Sequence, residues 1–186
     1  MHFLTLAPLL FALPTFADLM FVDFPHLMIP LVRSTPTKAY GTHPNATVSN
    51  NVLTEISFDV RKDIPNVHVC RINFHINTDK NKNAPKDLQG VPPLQFHVTR
   101  LEPEINKDTD TYADHPAPVG DPVATITLHA DWSVDVQRGW FECPFGSVAQ
   151  FLLHPVGARN FRYSWYELNY PWSEGGPHGI TLEMHS

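Results

Sequence analysis

The sequence lacks the short motifs that mark most enzymes and metal-binding proteins. It has no GxSxG elbow, no HExxH motif and no phosphate-binding glycine loop. It contains only two cysteines, Cys70 and Cys143, and their spacing excludes the CxxC pairs of zinc and redox sites. These absences predict a non-catalytic protein that needs no cofactor.

Basic clusters are scarce as well. Thirteen Lys and Arg stand against nineteen Asp and Glu, which gives a formal net charge of −6. The densest basic stretch holds Lys80, Lys82 and Lys86 with asparagines between them. Because nucleic-acid-binding proteins need a strong basic surface, nucleic acid is not an expected partner.

Long apolar runs are missing too. The apolar run from Phe3 to Leu13 is about half of the ~20 residues that span a bilayer. It predicts a secretory signal peptide over residues 1–17, cleaved after Ala17, although the positive charges usual at the start are absent. The alternative is a buried first strand or helix, which Pro8 and Pro14 would interrupt. No later segment approaches membrane length, so we expect no membrane anchor.

Residues 18–186 would then form a single exported domain. In an oxidising compartment two thiols in one domain most simply pair, so a disulfide between Cys70 and Cys143 is predicted. Two free buried thiols are the alternative.

Alternation of apolar and polar residues dominates the chain and predicts strands with one buried face. In residues 54–60, for example, Ile56, Phe58 and Val60 alternate with Glu55, Ser57 and Asp59. The same pattern recurs along the chain and indicates about eight or nine strands. No stretch shows a helical apolar stripe, so little helix is expected.

Turn-forming residues separate these strands, and eighteen prolines discourage helix interiors. Residues 78–93 and 102–122 are rich in Asn, Asp, Gly and Pro and are predicted to be surface loops. The expected fold is all-β, an antiparallel β-sandwich whose disulfide ties the two sheets together. A jelly roll or a small barrel is the alternative.

The triplet Asn45-Ala46-Thr47 is an acceptor for N-glycosylation, and it follows Gly41 and Pro44 in a predicted turn. Export predicts a glycan on Asn45. Such a short pattern also occurs by chance.

Histidines are frequent, with eleven in the chain. His75, His97 and His129 each fall on the polar side of a predicted strand, with Asp131 close to the last of them. If these strands are neighbours, the imidazoles would converge on one face and suit zinc or copper. Solvent-facing histidines need no metal, so these three are weak candidates and no metal is predicted.

The richest aromatic stretch is NFRYSWYELNYPW, residues 160–172. Tyr170 and Trp172 flank a proline and are expected to be exposed, where aromatic rings can stack on sugars. Together with Glu174, a hydrogen-bond acceptor, they form a candidate ligand-binding surface. The positions expected in the core are Phe161, Tyr163 and Trp165.

Paired carboxylates, which glycan hydrolases use, occur only in predicted loops. They are Glu102 with Glu104 and Asp108 with Asp110. Neither pair has an apolar setting that would raise one pKa for acid catalysis, so we expect them to be solvated. A hydrolase assembled from distant carboxylates is still an alternative.

Several segments carry a family resemblance. They are FPHLMIP at 24–30, AYGT at 39–42, NATVS at 45–49, the strand around Cys70 and CPFGSVAQFLLHPVG at 143–157. In this order they resemble the fungal domain family named after the C-terminal part of the "ubiquitin 3 binding protein But-two". The resemblance implies a fungal, mainly β domain that commonly follows a signal peptide, and it assigns no catalytic residues to this chain. The family name implies binding to a component of a ubiquitin-like pathway.

Taken together, these features predict a secreted fungal binding protein, located outside the cell or in the cell wall, with wall polysaccharide as its ligand. The first alternative is a protein-partner module, as the family name implies. The second is the unrecognised glycan hydrolase.

Overall fold

The structure, a computed structural model, describes residues 17–186. The predicted signal peptide, residues 1–17, lies outside the described residues except for Ala17. No helix in residues 17–186 is long and apolar enough to cross a membrane. The described residues form thirteen strands and a single 3₁₀ turn: β1 Leu19–Asp23, β2 Leu27–Val32, β3 Asn45–Ser49, β4 Val52–Asp59, β5 Val69–His75, β6 Lys86–Gln89, β7 Leu94–Leu101, β8 Pro118–Leu128, β9 Val134–Arg138, β10 Trp140–Glu142, β11 Val148–Pro155, β12 Arg162–Tyr166, the turn Trp172–Glu174, and β13 Gly179–His185.

The strands pair antiparallel in three sheets. The six-stranded sheet has the order β2-β4-β11-β7-β8-β9, the four-stranded sheet β1-β13-β5-β10, and the three-stranded sheet β3-β12-β6. Side chains of all three sheets enter one hydrophobic core, with the six-stranded sheet packed against the two smaller ones. The predicted all-β, sandwich-like fold is therefore confirmed, with more strands than the eight or nine expected.

Three aromatic side chains join the sheets at the centre of the core. The ring centroids of Phe74 on β5 and Phe96 on β7 are 5.7 Å apart, and those of Phe74 and Trp165 on β12 are 5.0 Å apart. Phe161 and Tyr163 are also buried, as the alternation of the 160–172 stretch predicts. Pairs of this geometry add to the free energy of burial, so they hold the three sheets in one unit.

The chain crosses from the six-stranded to the four-stranded sheet at Gly139. Its N–H donates to the carbonyl of Val123 in β8 at 2.8 Å, and its carbonyl accepts from the N–H of Ile72 in β5 at 2.9 Å. Its φ is +98°, and a Cβ at this position would lie 2.8 Å from the carbonyl oxygen of Ile72. Both the conformation and the close approach require glycine.

The two cysteines form a disulfide with a Cα–Cα distance of 5.0 Å, as predicted. The expectation that the disulfide ties two sheets together is wrong. Cys70 lies in β5, and Cys143 directly follows β10, its neighbour in the four-stranded sheet. The bond therefore fixes β10, the strand that the chain enters after crossing at Gly139. The alternation of apolar and polar residues alone does not reveal this arrangement.

The two predicted surface loops are partly strand. Residues 78–93 contain β6, whose Leu88 pairs with Tyr163 of β12. Residues 102–122 include the first residues of β8, which begins at Pro118. The prediction failed for β6 because a short strand at the edge of a sheet shows no clear alternation. It failed for β8 because the first residues of this strand are all exposed.

The remaining part of the second loop, residues 102–117, covers the outer face of the six-stranded sheet. Ile105 and Tyr112 pack there against a small cluster that includes Leu152. The N–H of Ile105 donates to Oε1 of Gln150 at 3.0 Å. Because this loop covers β4, Glu55 is buried on a face that the alternation assigned to solvent.

Candidate functional site

The candidate ligand-binding residues lie on and beside the 3₁₀ turn. Pro171 precedes the turn, and its carbonyl accepts from the N–H of Glu174 at 2.9 Å and of Gly176 at 3.1 Å. Asn77, only 1% exposed, donates from Nδ2 to the carbonyls of Glu174 at 2.9 Å and Gly176 at 2.7 Å. A buried amide beyond the end of β5 thus fixes the turn from below.

Trp172 is the most exposed aromatic residue on the described surface, at 64%. Its indole packs against the His75 ring in a T-shaped arrangement, with ring centroids 5.0 Å apart and planes inclined by 65°. Its six-membered ring also packs on Gly176, where a Cβ would lie 2.7 Å from it. The indole is therefore held in place while much of its surface stays open to a ligand.

A charged pair borders this ring. The Nζ of Lys82 lies 2.5 Å from Oε2 of Glu174 and 5.4 Å from the ring centroid of Tyr170. The hydrogen bond to Glu174 raises the pKa of Lys82 above its ordinary value. The pair offers ammonium donors and carboxylate acceptors beside an aromatic platform, which is the chemistry that recognises hydroxyl groups.

We call this surface the aromatic patch and define it as His75, Lys82, Tyr170, Trp172 and Glu174. The structure brings together the three residues singled out from the sequence. Sequence reasoning missed Lys82 and the anchor Asn77, and it considered His75 only as a metal ligand. The sequence gives little indication that His75, Asn77 and Lys82 belong to the site, because they reach it through contacts between segments that are distant in the chain.

The three histidines considered as metal ligands do not converge. His75 lies in the four-stranded sheet, whereas His97 lies in the six-stranded sheet and His129 just beyond its strand β8. The Nε2 of His129 lies 2.8 Å from Oδ2 of Asp135, and Asp131 accepts instead from Ser133. Within residues 17–186 no group of three or more His, Cys, Asp or Glu is placed to hold a metal ion.

Asn45 is the exposed first residue of β3 rather than part of a turn. This strand is the edge of the three-stranded sheet. Thr47 of the same triplet is buried, and its N–H donates to Oγ1 of Thr54 at 3.2 Å. An exposed edge position leaves room for a glycan on Asn45. Glycosylation of Asn45 stays a prediction.

A cleft of about 490 Å³ lies where distant segments meet. Its lining includes Phe24 and His26 from the FPHL segment, Thr42 and His43 from the next segment, and Glu167 after β12. Burial raises the pKa of Glu167 to about 8, although its Oε2 accepts hydrogen bonds from two N–H groups. The cleft therefore has a different chemistry from the aromatic patch, with two imidazoles and a carboxyl group along its lining.

The model of the family described as "Ubiquitin 3 binding protein But2 C-terminal domain" matches residues 23–169. A comparison with curated proteins gives no match. The matched range includes every residue that lines the cleft, but it ends before Tyr170, Trp172 and Glu174 of the aromatic patch.

Proposed function

The chain belongs to the Ubiquitin 3 binding protein But2 C-terminal domain family, and from that premise we propose that it is a secreted, non-catalytic binding protein whose ligand is a cell-wall polysaccharide. The observation that carries the proposal is Trp172, which is 64% exposed while its indole packs against His75 and Gly176. An exposed aromatic ring that is already immobilised loses little conformational entropy when a sugar ring stacks on it.

The surroundings of Trp172 suit a neutral, hydroxyl-rich ligand. Lys82 and Glu174 neutralise each other, so the patch carries no uncompensated charge that would select an ionic ligand. Each partner keeps free hydrogen-bonding positions, because an ammonium has three donors and a carboxylate has about four acceptor sites. Stacking on Trp172 and hydrogen bonds to this pair would then bind adjacent parts of one sugar unit.

Export agrees with the covalent features of the chain. The Cys70–Cys143 disulfide is the kind of bond that persists in oxidising compartments. The predicted signal peptide, residues 1–17, and the exposed acceptor Asn45 favour the same location. We therefore place the protein outside the cell or in the fungal cell wall, working without a cofactor.

Retention on insoluble polysaccharides tests the proposal. The folded, disulfide-bonded protein should be retained on at least one of chitin, β-glucan and mannan. Trp172→Ala should weaken retention about tenfold, which corresponds to the ~1.4 kcal/mol expected from losing one stacking contact. The matched control is Trp140→Ala, because Trp140 is also exposed, at 47%, but lies in β10 outside the patch.

Two outcomes would contradict the proposal. One is that the folded protein passes through all three polysaccharides without retention. The other is that Trp172→Ala and Trp140→Ala reduce retention equally, because the aromatic patch would then have no special part in binding.

A protein-partner module is the second candidate function. The family description names a binding protein, and the cleft lined by Phe24, His26, Thr42 and His43 lies within the matched range. A tagged full-length copy that stays in the cytosol, and a partner captured by it but lost on His43→Ala, would favour this function. Secretion together with retention that depends on Trp172 would favour the polysaccharide.

A further inference from the structure

A second groove lies on the outer face of the six-stranded sheet and shares no residue with the aromatic patch. Its volume is about 680 Å³, which falls within the range of small-molecule sites. Apolar side chains form much of its lining, among them Leu53, Pro118, Pro122 and Leu152. Leu152 is only 4% exposed and belongs to the small apolar cluster of this face. A ligand here would place an apolar body on an apolar surface.

The charge of this groove is opposite in sign to that of the chain. The chain carries a formal charge of −6, yet the groove is lined by Arg33 and His154 and by no Asp or Glu. Burial lowers the pKa of His154 below its ordinary value, so this imidazole is neutral at neutral pH. Arg33 is therefore the permanent charge of the groove, and within residues 17–186 it forms no salt bridge with a carboxylate.

Arg33 is held in position by the loop of residues 102–117. Its Nε donates to the hydroxyl of Tyr112 at 2.9 Å, and its guanidinium carbon lies 5.6 Å from the centroid of the same ring. The Tyr112 ring itself packs on the apolar cluster. One edge of the guanidinium is thus engaged, and its two terminal nitrogens remain as a fork of donors, the geometry that binds carboxylates.

We propose that this groove binds an organic acid with an apolar body, whose carboxylate pairs with the guanidinium of Arg33 while its carbon skeleton packs on Leu53, Leu152 and the two prolines. The assignment rests on charge complementarity: a fixed, unneutralised cation stands at an apolar groove that contains no acid. It is independent of the aromatic patch, whose charges are already paired.

A fluorescent anion tests the assignment on the complete folded protein. The probe is 1-anilinonaphthalene-8-sulfonate, and its neutral analogue N-phenyl-1-naphthylamine has the same aromatic body without the acid group. The anion should bind saturably with one site per chain, and decanoate should displace it. Arg33→Ala should weaken binding of the anion about tenfold, as expected for one charge-assisted hydrogen-bonded pair, while binding of the neutral analogue changes less than twofold.

The control variant is Arg61→Ala, which removes an exposed arginine that is paired with Asp63 away from the groove. It should bind the anion as the unchanged protein does. The proposal is overturned if the anion does not bind saturably, if decanoate fails to displace it, or if Arg33→Ala and Arg61→Ala have the same effect. Because Arg33→Ala should leave retention on polysaccharide unchanged, failure here is distinguishable from failure of the proposed function.

Discussion

The carboxyl groups of Glu55 and Asp110 are close neighbours in the buried contact between β4 and the loop that covers it. Glu55 is fully buried and Asp110 is 7% exposed. Neither carboxyl oxygen of Glu55 has a hydrogen-bond partner within residues 17–186. Two buried carboxylates so placed would repel each other, and the repulsion is relieved when one of the two groups carries a proton. Asp110, expected from the sequence to be solvated, instead closes the loop on the sheet.

This pair makes the stability of the fold depend on pH. Burial, followed by the charge of Asp110, raises the pKa of Glu55 from 4.5 to about 8. Because the folded state binds this proton more tightly than the unfolded state, the stabilisation is fully present below pH 4.5 and is lost as pH rises to about 8. Across this window we expect the free energy of unfolding to fall by about 1 kcal/mol per pH unit for this group.

Urea unfolding of Glu55→Gln between pH 5 and pH 8 tests this prediction. The amide keeps the shape and can donate to Asp110, but it does not titrate, so the decline in stability with pH should become shallower. It should not vanish, because burial also raises the pKa of Glu167 to about 8. The control Asp108→Asn changes an exposed carboxylate of the same loop and should retain the full slope. An unchanged slope in Glu55→Gln would refute the raised pKa of Glu55.

Gly139→Ala should destabilise the fold by about 2 to 4 kcal/mol, because the methyl group meets the carbonyl of Ile72 and the residue has a positive φ. The matched control is Gly120→Ala, since Gly120 also has a positive φ, +68°, but has nothing within 4 Å of the added Cβ. The control isolates the conformational cost of about 1 kcal/mol. Thermal unfolding of the two variants measures the difference, and equal losses would show that the sheet crossing tolerates a side chain.

Alternation in the sequence predicted the strands whose partners lie in the core. Phe58 and Trp165 are buried as expected, because each belongs to a strand with one apolar face on the core. The same alternation placed Glu55 in solvent and was wrong there, because the period of one strand carries no information about a loop that packs on its other face. Burial of that face depends on residues about fifty positions away.

The candidate site was predictable only in part, for the same reason. Tyr170, Trp172 and Glu174 are close in sequence and could be proposed together from their composition. Lys82 and Asn77 reach them through tertiary contacts that no local pattern records. The Cys70–Cys143 pair was predictable from the count of cysteines, whereas its place within one sheet depended on strand order, which the sequence does not reveal.

The disulfide should contribute strongly to stability. Its cysteines are 73 positions apart, and closing a loop of that length is worth about 4 kcal/mol in the chain-entropy model. Replacing both cysteines by serine should lower the urea midpoint and raise the m value, because the unfolded chain without the cross-link exposes more surface. Adding a reductant to the unchanged protein at denaturing urea concentrations should produce the same shift of the midpoint. Adding it to the double variant should produce no shift. A double variant as stable as the parent would show that β10 needs no covalent anchor.

The intact mass of the protein recovered from culture medium tests export, processing and modification in one measurement. Cleavage after Ala17 predicts a chain that begins at Asp18, and an oxidised Cys70–Cys143 pair predicts no thiol that reacts with an alkylating reagent under denaturing conditions. A glycan on Asn45 predicts a heterogeneous excess mass that an endoglycosidase removes and that Asn45→Gln abolishes. A molecule that retains Met1 and two reactive thiols would contradict the secreted binding protein. It would favour the protein-partner module, because a reducing cytosol is where such a chain would keep both thiols free.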